Sequence, residues 1–374
     1  MDKILFIGDP HFRVDNIIES QKFISEVQRI LDTYPVDVVI VLGDVLHTHE
    51  KLHTFALNGA VQFFQMICQR KKVYCLVGNH DATSNTIFLT DNHWMNVLKP
   101  WSNLVIVDQP LLLDQCEQTV VLCPYVPDGR FKEALDLLDL KGKCDHWTPS
   151  SLRDARSWRN ADLIVAHQLF DGAKMGPIVS SGVEEWRPEW PLVISGHIHD
   201  KQRPQDNLYY TGSSMQHAFG ESIDKTVYLY SLQSKQGEEL KLHIPRKEIL
   251  YVNVNDLSSI EDKVQKLTQD DVSVKIVVRG DVSEMKAAKD TDAIRKLEQT
   301  TGVKSVVFKQ AKASASEVLE GAIDPSKKTQ GGEQPFEVVL KQIVQAKGDR
   351  YLESLFQHLL TGGEDLSDKD VFFV

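Results

Sequence analysis

Short apolar, β-branched runs at residues 3–8 and 36–42 flank a stretch where Ile17, Ile18, Phe23, Ile24, Val27, Ile30 and Leu31 recur at helical spacing, so the chain opens as a βαβ unit. The alternation continues with a helix near 54–70, a strand at 73–77, strands near 103–107 and 119–123, helices near 130–139 and 150–158, and strands at 162–166 and 192–196. Such alternation predicts a layered α/β domain whose strands are buried between helices. Phe55, Val61, Phe64 and Ile67 are its expected core residues within the 54–70 helix. Val227 to Leu232 and Leu240 to Ile244 read as closing strands, and Pro245-Arg246-Lys247 as a hinge.

A smaller β-α-β-α-β module follows: strand 249–254, helix 257–268, strand 273–279, helix 285–300 and strand 303–308. Residues 311–334 are polar, rich in small side chains and contain Gly331-Gly332, a linker composition. Beyond it, Phe336, Val339, Leu340, Ile343 and Val344 form one apolar helical stripe begun by Pro335. Tyr351, Leu352, Leu355, Phe356, Leu359 and Leu360 form another, which Asp349 can cap and Gly362-Gly363 stops. The expected organisation is therefore a main domain at 1–245, a small domain at 246–310, a linker at 311–334 and a helical pair at 335–374. The last has little core of its own and either packs back or lays its apolar faces on a partner.

Composition narrows the function. With 374 residues, 42% hydrophobic and 25% charged, the chain is an ordinary globular protein of two or three domains. No apolar run approaches the ~20 residues that cross a bilayer, and Met1-Asp2-Lys3 before Ile4-Leu5-Phe6-Ile7 lacks the length and cleavage site of a signal peptide. A cytoplasmic location, in a bacterial cell or a phage-infected host, and no membrane contact are expected. Five cysteines without a CxxC pair support neither a disulfide framework nor a thiolate zinc site. A net charge of −11 argues against a protein that coats nucleic acid with a general basic surface. The charge divides as −8 over residues 1–245, +1 over 246–310 and −4 over 311–374. The small module is thus the least acidic part. Thirteen histidines offer another route to a polyphosphate: imidazoles and carboxylates that hold divalent cations on an acidic body.

Five short motifs stand where a predicted strand ends and a loop begins, the usual ligand location in open α/β sheets. They are Asp9-Pro10-His11, Gly43-Asp44-Val45-Leu46-His47, Gly78-Asn79-His80-Asp81, His167-Gln168 and Gly196-His197-Ile198-His199. Each alone is weak, since a lone Gly-Asp or Asp-x-His at a strand end is more often a turn. Together they supply carboxylate and amide oxygens mixed with imidazole nitrogens and no thiolate, a donor set for manganese, iron(II) or zinc, with enough ligands for two ions and a bridging carboxylate. The remaining histidines, His49, His53, His93, His146, His217, His243 and His358, have no motif support and read as surface or satisfied core residues.

The order D-x-H, GD-x-x-H, GNHD, H and GH-x-H resembles the calcineurin-like metallophosphoesterases. Tyr210-Thr211-Gly212-Ser213 through Phe219-Gly220-Glu221 resembles the segment after GH-x-H in the SbcD-type DNA repair nucleases of that superfamily. The similarity covers roughly 1–235 by motif; the 249–310 module matches the family's capping domain in position and element order only. Leu46 where Phe is common, and Gly8-Asp9-Pro10 for a more usual Ser-Asp, are departures that remove no ligand. The resemblance implies a layered metallophosphoesterase β-sandwich flanked by helices, with a small α+β capping domain and a C-terminal helical pair. It implies two divalent ions, manganese above all with magnesium in weaker support: one on Asp9, His11, Asp44 and His199, the other on Asp44, Asn79, His167 and His197. His80 would act on the transition state or leaving oxygen, and His47 would orient it or the phosphate. The implied activity is 3′-to-5′ exonuclease and structure-selective endonuclease action in DNA end processing, repair and recombination. The implied partners are DNA, an SbcC-type coiled-coil ATPase gripped by the C-terminal helices, and a second copy of the nuclease domain. Lys275, Arg279, Lys286, Lys289, Lys304 and Lys309 could line a DNA groove or form an ordinary solvated face. The alternatives are a stand-alone phosphoesterase acting on a nucleotide or phosphoprotein, and an inactive metal-binding scaffold.

Overall fold

The computed structural model describes residues 1–49, 51–113, 118–138, 158–176 and 178–310. The chain starts with β1 (Lys3–Ile7), α1 (Ile17–Thr33), β2 (Val38–Val41), α2 (Thr54–Cys68), β3 (Lys72–Leu76) and β4 (Leu104–Val107). These four strands are parallel, with Ile7 beside Val41 and Val41 beside Cys75. α1 ends at Thr33 because Pro35 denies Tyr34 a helical conformation. The chain then builds a second sheet from β5 (Leu111–Leu113), β6 (Val120–Cys123), α3 (Phe131–Asp136), β7 (Leu163–Ala166), a small hairpin of β8 (Lys174–Met175) and β9 (Ile178–Val179), β10 (Leu192–Ser195), β11 (Gln202–Gln205) and β12 (Leu208–Tyr210). It returns to the first sheet with β13 (Thr226–Ser231) and β14 (Gln236–Lys241). The two six-stranded sheets run β14-β13-β1-β2-β3-β4 and β11-β12-β10-β7-β6-β5.

Strand alternation divides the apolar runs between three layers. Ile4, Phe6, Val38, Ile40 and Leu76 point inward and meet Leu122, Leu163, Val165 and Ile194 of the second sheet. Leu5, Ile7, Val39 and Val41 point outward onto Phe23, Val27, Ile30, Phe63, Phe64 and Ile67 of α1 and α2. Val121, Ile164 and Val193 face Phe131, Trp158, Phe170 and Trp186 on the far side. Strands buried on both faces explain the continuous apolar runs. The mixed α/β, multi-sheet architecture expected from the sequence is the one found.

Residues after the hinge form β15 (Arg246–Asn253), α4 (Glu261–Gln269), β16 (Val272–Gly280), α5 (Val282–Ala288), α6 (Asp292–Gln299) and β17 (Val303–Gln310), a parallel sheet ordered β15-β16-β17 with its own apolar cluster around Val264, Ile276, Ile294 and Leu297.

Several elements differ from their expected form. The helix expected over 285–300 is two, because Thr291 takes an extended conformation (φ −77°, ψ 152°) and starts α6. The last strand of the first sheet lies over Gln236–Lys241 rather than 240–244, in antiparallel register with Thr226–Ser231. Phe55 is 64% exposed, because α2 buries Ala56, Ala60, Phe63, Phe64 and Ile67, a stripe about 100° away from Phe55. Of the helix expected at 150–158 only Trp158 is described, in a short 3₁₀ turn. The linker at 311–334, the helical pair at 335–374, and Cys116, Cys144, His146 and His358 lie outside the described residues.

The rings of Phe12, Phe23 and Phe63 meet with centroids 5.4–6.3 Å apart directly behind the first motif. Phe63→Ala is expected to destabilise the protein by about 3–5 kcal/mol, read as a lower denaturant midpoint with unchanged slope in urea unfolding.

Candidate metal centre

Parallel strands end on the same side of their sheet, so the loops after β1, β2 and β3 emerge together, as do those after β7 and β10, where Ala166 and Ser195 are partners. The five motifs occupy these loops. The first two pair with each other: the His11 amide donates to the Asp44 carbonyl at 3.0 Å and the Phe12 amide to that of Val45 at 2.8 Å. Asp81 fastens the second to the third. Its buried carboxylate accepts from the amides of Val45 (3.0 Å) and Gly78 (3.1 Å) and from Trp94 Nε1 (2.9 Å). Burial, with the Asp44 carboxylate nearby, pushes its pKa up to about 6.

The backbone is strained where the side chains converge. Seven non-glycine residues among those described have positive φ, and four are here: Asp9 (38°), His11 (44°), Asp44 (50°) and His197 (79°). Such strain persists only where surrounding structure enforces it and concentrates at functional sites. Gly78 is required for space, since a Cβ there would lie 2.2 Å from Asp44 Oδ1.

Two clusters of donors result, with Asp44 between them, and a third group, His11, His47 and His80, adjoins the first. On one side, Asp44 Oδ2 is 3.5 Å from His11 Nε2, which is 3.2 Å from His199 Nε2, and Asp9 completes the group. On the other, Asp44 Oδ1 is 3.4 Å from His167 Nε2, and Asn79 Oδ1 lies 3.0 Å from His167 Nε2 and 2.9 Å from His197 Nδ1. Donors about 2.1 Å from a common ion stand about 3.0 Å apart at right angles and about 3.4 Å apart at the tetrahedral angle. The observed separations have those values. Asp9 Oδ2 is fully buried and has no hydrogen-bond partner, and burial raises Asp9 to about 6. Burial opposes charge on Asp44 as well, yet His167, His11 and His80 around it hold its carboxyl well below the usual range. Burial also opposes charge on His167, which Asp44 and Asp9 nonetheless raise to about 9. The interior is arranged around positive charge, supplied by a proton on His167 or by cations that displace it.

Neighbouring groups select the nitrogen each histidine presents. His167 Nδ1 donates to the Leu42 carbonyl at 2.6 Å and His199 Nδ1 meets Glu221 Oε1 at 3.2 Å, leaving each Nε2 toward the cluster. Glu221 is braced in turn by buried Lys225 at 3.2 Å and the His217 amide at 3.0 Å, and its carboxyl lies at about 2: burial raises it, and His199 and Lys225 outweigh that. His11 Nδ1 lies 3.4 Å from His47 Nδ1; for His11 Nε2 to offer a lone pair, Nδ1 must carry the proton and His47 accept it.

A model of the calcineurin-like phosphoesterases matches residues 2–201, and two viral proteins named as phosphoesterases match most of the chain. The chain belongs to the calcineurin-like phosphoesterase family. Protein 078R of Invertebrate iridescent virus 3 is 38% identical over 362 residues, 96% of this chain and 97% of its own. Protein 244L of Invertebrate iridescent virus 6 is 41% identical over 298 residues, 78% of this chain and 99% of its own. Among solved structures, the nuclease MPE of Pseudomonas putida aligns over 64% of this chain and 87% of its own at 13% identity, with a TM-score of 0.30.

Membership in the calcineurin-like phosphoesterase family and the two clusters together support divalent-metal binding. The structure gathers all nine residues named from the motifs: Asp9, His11, Asp44, Asn79, His167, His197 and His199 at the clusters, His80 and His47 beside them. His80 Nδ1 donates to the His47 carbonyl at 2.7 Å, so its Nε2 turns toward Asp44 Oδ2, 4.0 Å away. Two histidines without motif support belong here as well. His217 is buried against the rings of His11 and His199 (4.7 and 5.0 Å) and donates from Nε2 to the Asp9 carbonyl at 2.9 Å. His49 stacks on His80. Neither sits at a strand end, so spacing gave no signal; the segment after GH-x-H, which holds both His217 and Glu221, was the hint of this second layer. Of the others, His53 caps α2, His93 pairs with Asp108 and His243 with Glu26, as expected of structural histidines.

Because its two oxygens face different clusters, Asp44→Ala is expected to weaken divalent-cation binding at both. Calorimetric titration with Mn²⁺ checks this; loss confined to one class of site would show that Asp44 is not shared.

Proposed function

We propose that the protein is a manganese-dependent phosphodiesterase that cleaves DNA, with 3′-to-5′ exonuclease and structure-selective endonuclease activity in end processing. The observation that carries the reading is the pair of donor clusters sharing Asp44 with a partly exposed histidine, His80, at their edge. In it, Asp9, His11, Asp44 and His199 hold one ion, and Asp44, Asn79, His167 and His197 the other. The ions supply neutralisation of phosphate charge and a lowered pKa for an attacking water.

The chain's own residues do the rest. His11 and His167 side chains are 1% and 0% exposed, whereas that of His80 is 28% exposed, so an incoming phosphodiester can reach its ring. With Nδ1 committed to the His47 carbonyl, His80 Nε2 is the atom that steadies developing charge or gives a proton to the leaving oxygen. His47 supports both His80, through that carbonyl, and His11, through its ring.

For DNA over smaller phosphoesters, the support is the third sheet. Its helices cover one face. On the other, strand alternation and register line up Tyr251, Lys275, Arg279 and Lys309, with the Arg279 guanidinium 4.4 Å from the Tyr251 ring centre. Cations there suit sequence-independent contact with phosphates, and an exposed ring suits a base. On the resemblance to SbcD-type nucleases, the two apolar stripes at 335–374 would take a coiled-coil ATPase of the SbcC type, and the nuclease domain would pair with a second copy.

Nucleotide release from a double-stranded oligonucleotide with Mn²⁺ is the expected result, and turnover of mononucleotides or phosphopeptides alone would sink the reading. His80→Gln is expected to keep its Mn²⁺ and lose ~10²–10⁴-fold in rate; loss of metal along with activity would make His80 a ligand instead. Deleting 335–374 is expected to leave cleavage of short DNA intact and to abolish association with the ATPase, checked by co-purification. A truncated protein that still binds the ATPase contradicts that assignment.

A further inference from the structure

We infer that His49 is a positioning residue for His80, an inference that rests on the reading of His80 as the group acting on the phosphodiester. The His49 ring centre lies 4.7 Å from that of His80 with the planes 21° apart, closer than the His47 ring at 5.3 Å and 10°. Its Nδ1 lies 3.3 Å from the Ala82 carbonyl, so a proton there donates to the loop that carries His80, two residues on. His49 therefore ties the end of the second motif's loop to both the ring and the backbone of the third. The turn that presents it is closed by Thr48 Oγ1, which donates to the Lys51 carbonyl at 2.5 Å.

The need for such a tie follows from the exposure of the His80 ring, which hydrogen bonding holds only at one edge. One hydrogen bond, from Nδ1 to the His47 carbonyl, fixes the ring's edge but leaves it free to tilt about that bond. With 28% of the side chain exposed, the remaining restraint comes from neighbouring rings: His11 meets it edge-on at 4.9 Å and His47 lies parallel at 5.3 Å. The His49 ring, the nearest of the three at 4.7 Å, adds to it, because tilting breaks the stacked contact. Stacked aromatic pairs are strong enough to shift such an orientation equilibrium by roughly two- to tenfold. His49 belongs to neither donor cluster among the described residues, so its action passes through His80.

The test uses the full-length chain, with His49→Ala, which removes the ring, and His49→Phe, which keeps a flat ring without its nitrogens. The first readout needs no turnover: the carbon-bound imidazole protons of His80, followed by NMR in cation-free protein labelled at histidine. Loss of the overlying ring in His49→Ala is expected to move them downfield, and His49→Phe to keep them shielded. The second is hydrolysis of bis(p-nitrophenyl) phosphate with Mn²⁺. There His49→Ala is expected to lower kcat roughly five- to tenfold with KM and Mn²⁺ stoichiometry unchanged, and His49→Phe to restore kcat to within about twofold. An unchanged His80 resonance in His49→Ala overturns the inference, as does a raised KM at constant kcat, which would make His49 a substrate contact. If wild type hydrolyses no phosphodiester while the resonances behave as expected, the positioning stands and the phosphodiesterase reading falls.

Discussion

The centre of this protein is a close approach of buried carboxylates and imidazoles that calls for positive charge among them. His11 Nε2 and His199 Nε2 face each other at 3.2 Å, and Asp9 Oδ2 is buried with no partner. Bringing carboxylates and imidazole lone pairs together away from water costs several kcal/mol unless positive charge enters among them. The rest of the architecture serves to hold that arrangement in place. Positive φ at Asp9, His11, Asp44 and His197 stores strain that the sheets behind must oppose. The apolar layers do so by anchoring the strand immediately before each strained residue: Ile7, Leu42 and Ile194 are at most 1% exposed.

Two sheets are needed because one sheet edge cannot bring donors to both sides of Asp44. The first sheet delivers Asp9, His11, Asp44 and Asn79 from three adjacent parallel strands; the second delivers His167, His197 and His199 from two. The halves are joined at the centre by direct hydrogen bonds, with His167 Nδ1 donating to the Leu42 carbonyl and the His197 amide to Asp9 Oδ1 at 2.9 Å. Those bonds fix the separation of the sheets at the site, while the inner layer around Phe6, Ile40 and Val165 fixes it elsewhere.

Most of this was legible in the sequence because strand runs and motif positions are local signals. The continuous apolar run Ile4-Leu5-Phe6-Ile7 and the Asp-x-His that follows are visible in eight consecutive residues. What was not legible depends on rotation or on distance. Phe55 lies one helical step off the buried stripe of α2, an offset that composition does not reveal. The break at Thr291 depends on one residue taking an extended conformation inside an otherwise periodic stretch. His49 and His217 reach the centre because loops fold over it, and His217 is separated from Asp9, whose carbonyl it holds, by most of the main domain.

The second layer makes the two halves electrically unequal. On the proposed assignment, the first half contains Asp9 and a share of Asp44, and its His199 is backed by the Glu221 carboxylate. The second half has its share of Asp44; Asn79 contributes a neutral oxygen, and His167 Nδ1 donates to the neutral Leu42 carbonyl at 2.6 Å, with Asp9 Oδ1 farther off at 3.7 Å. A carboxylate behind a histidine raises its basicity more than a carbonyl does, so an ion in the first half sees more negative charge and stronger donors. On that assignment it would be held more tightly. Lys225 limits this asymmetry, since its buried ammonium sits 3.2 Å from Glu221 and 2.7 Å from Ser213 Oγ and offsets part of the added charge. Any difference in affinity between the two clusters would thus follow from which acceptors stand behind each imidazole.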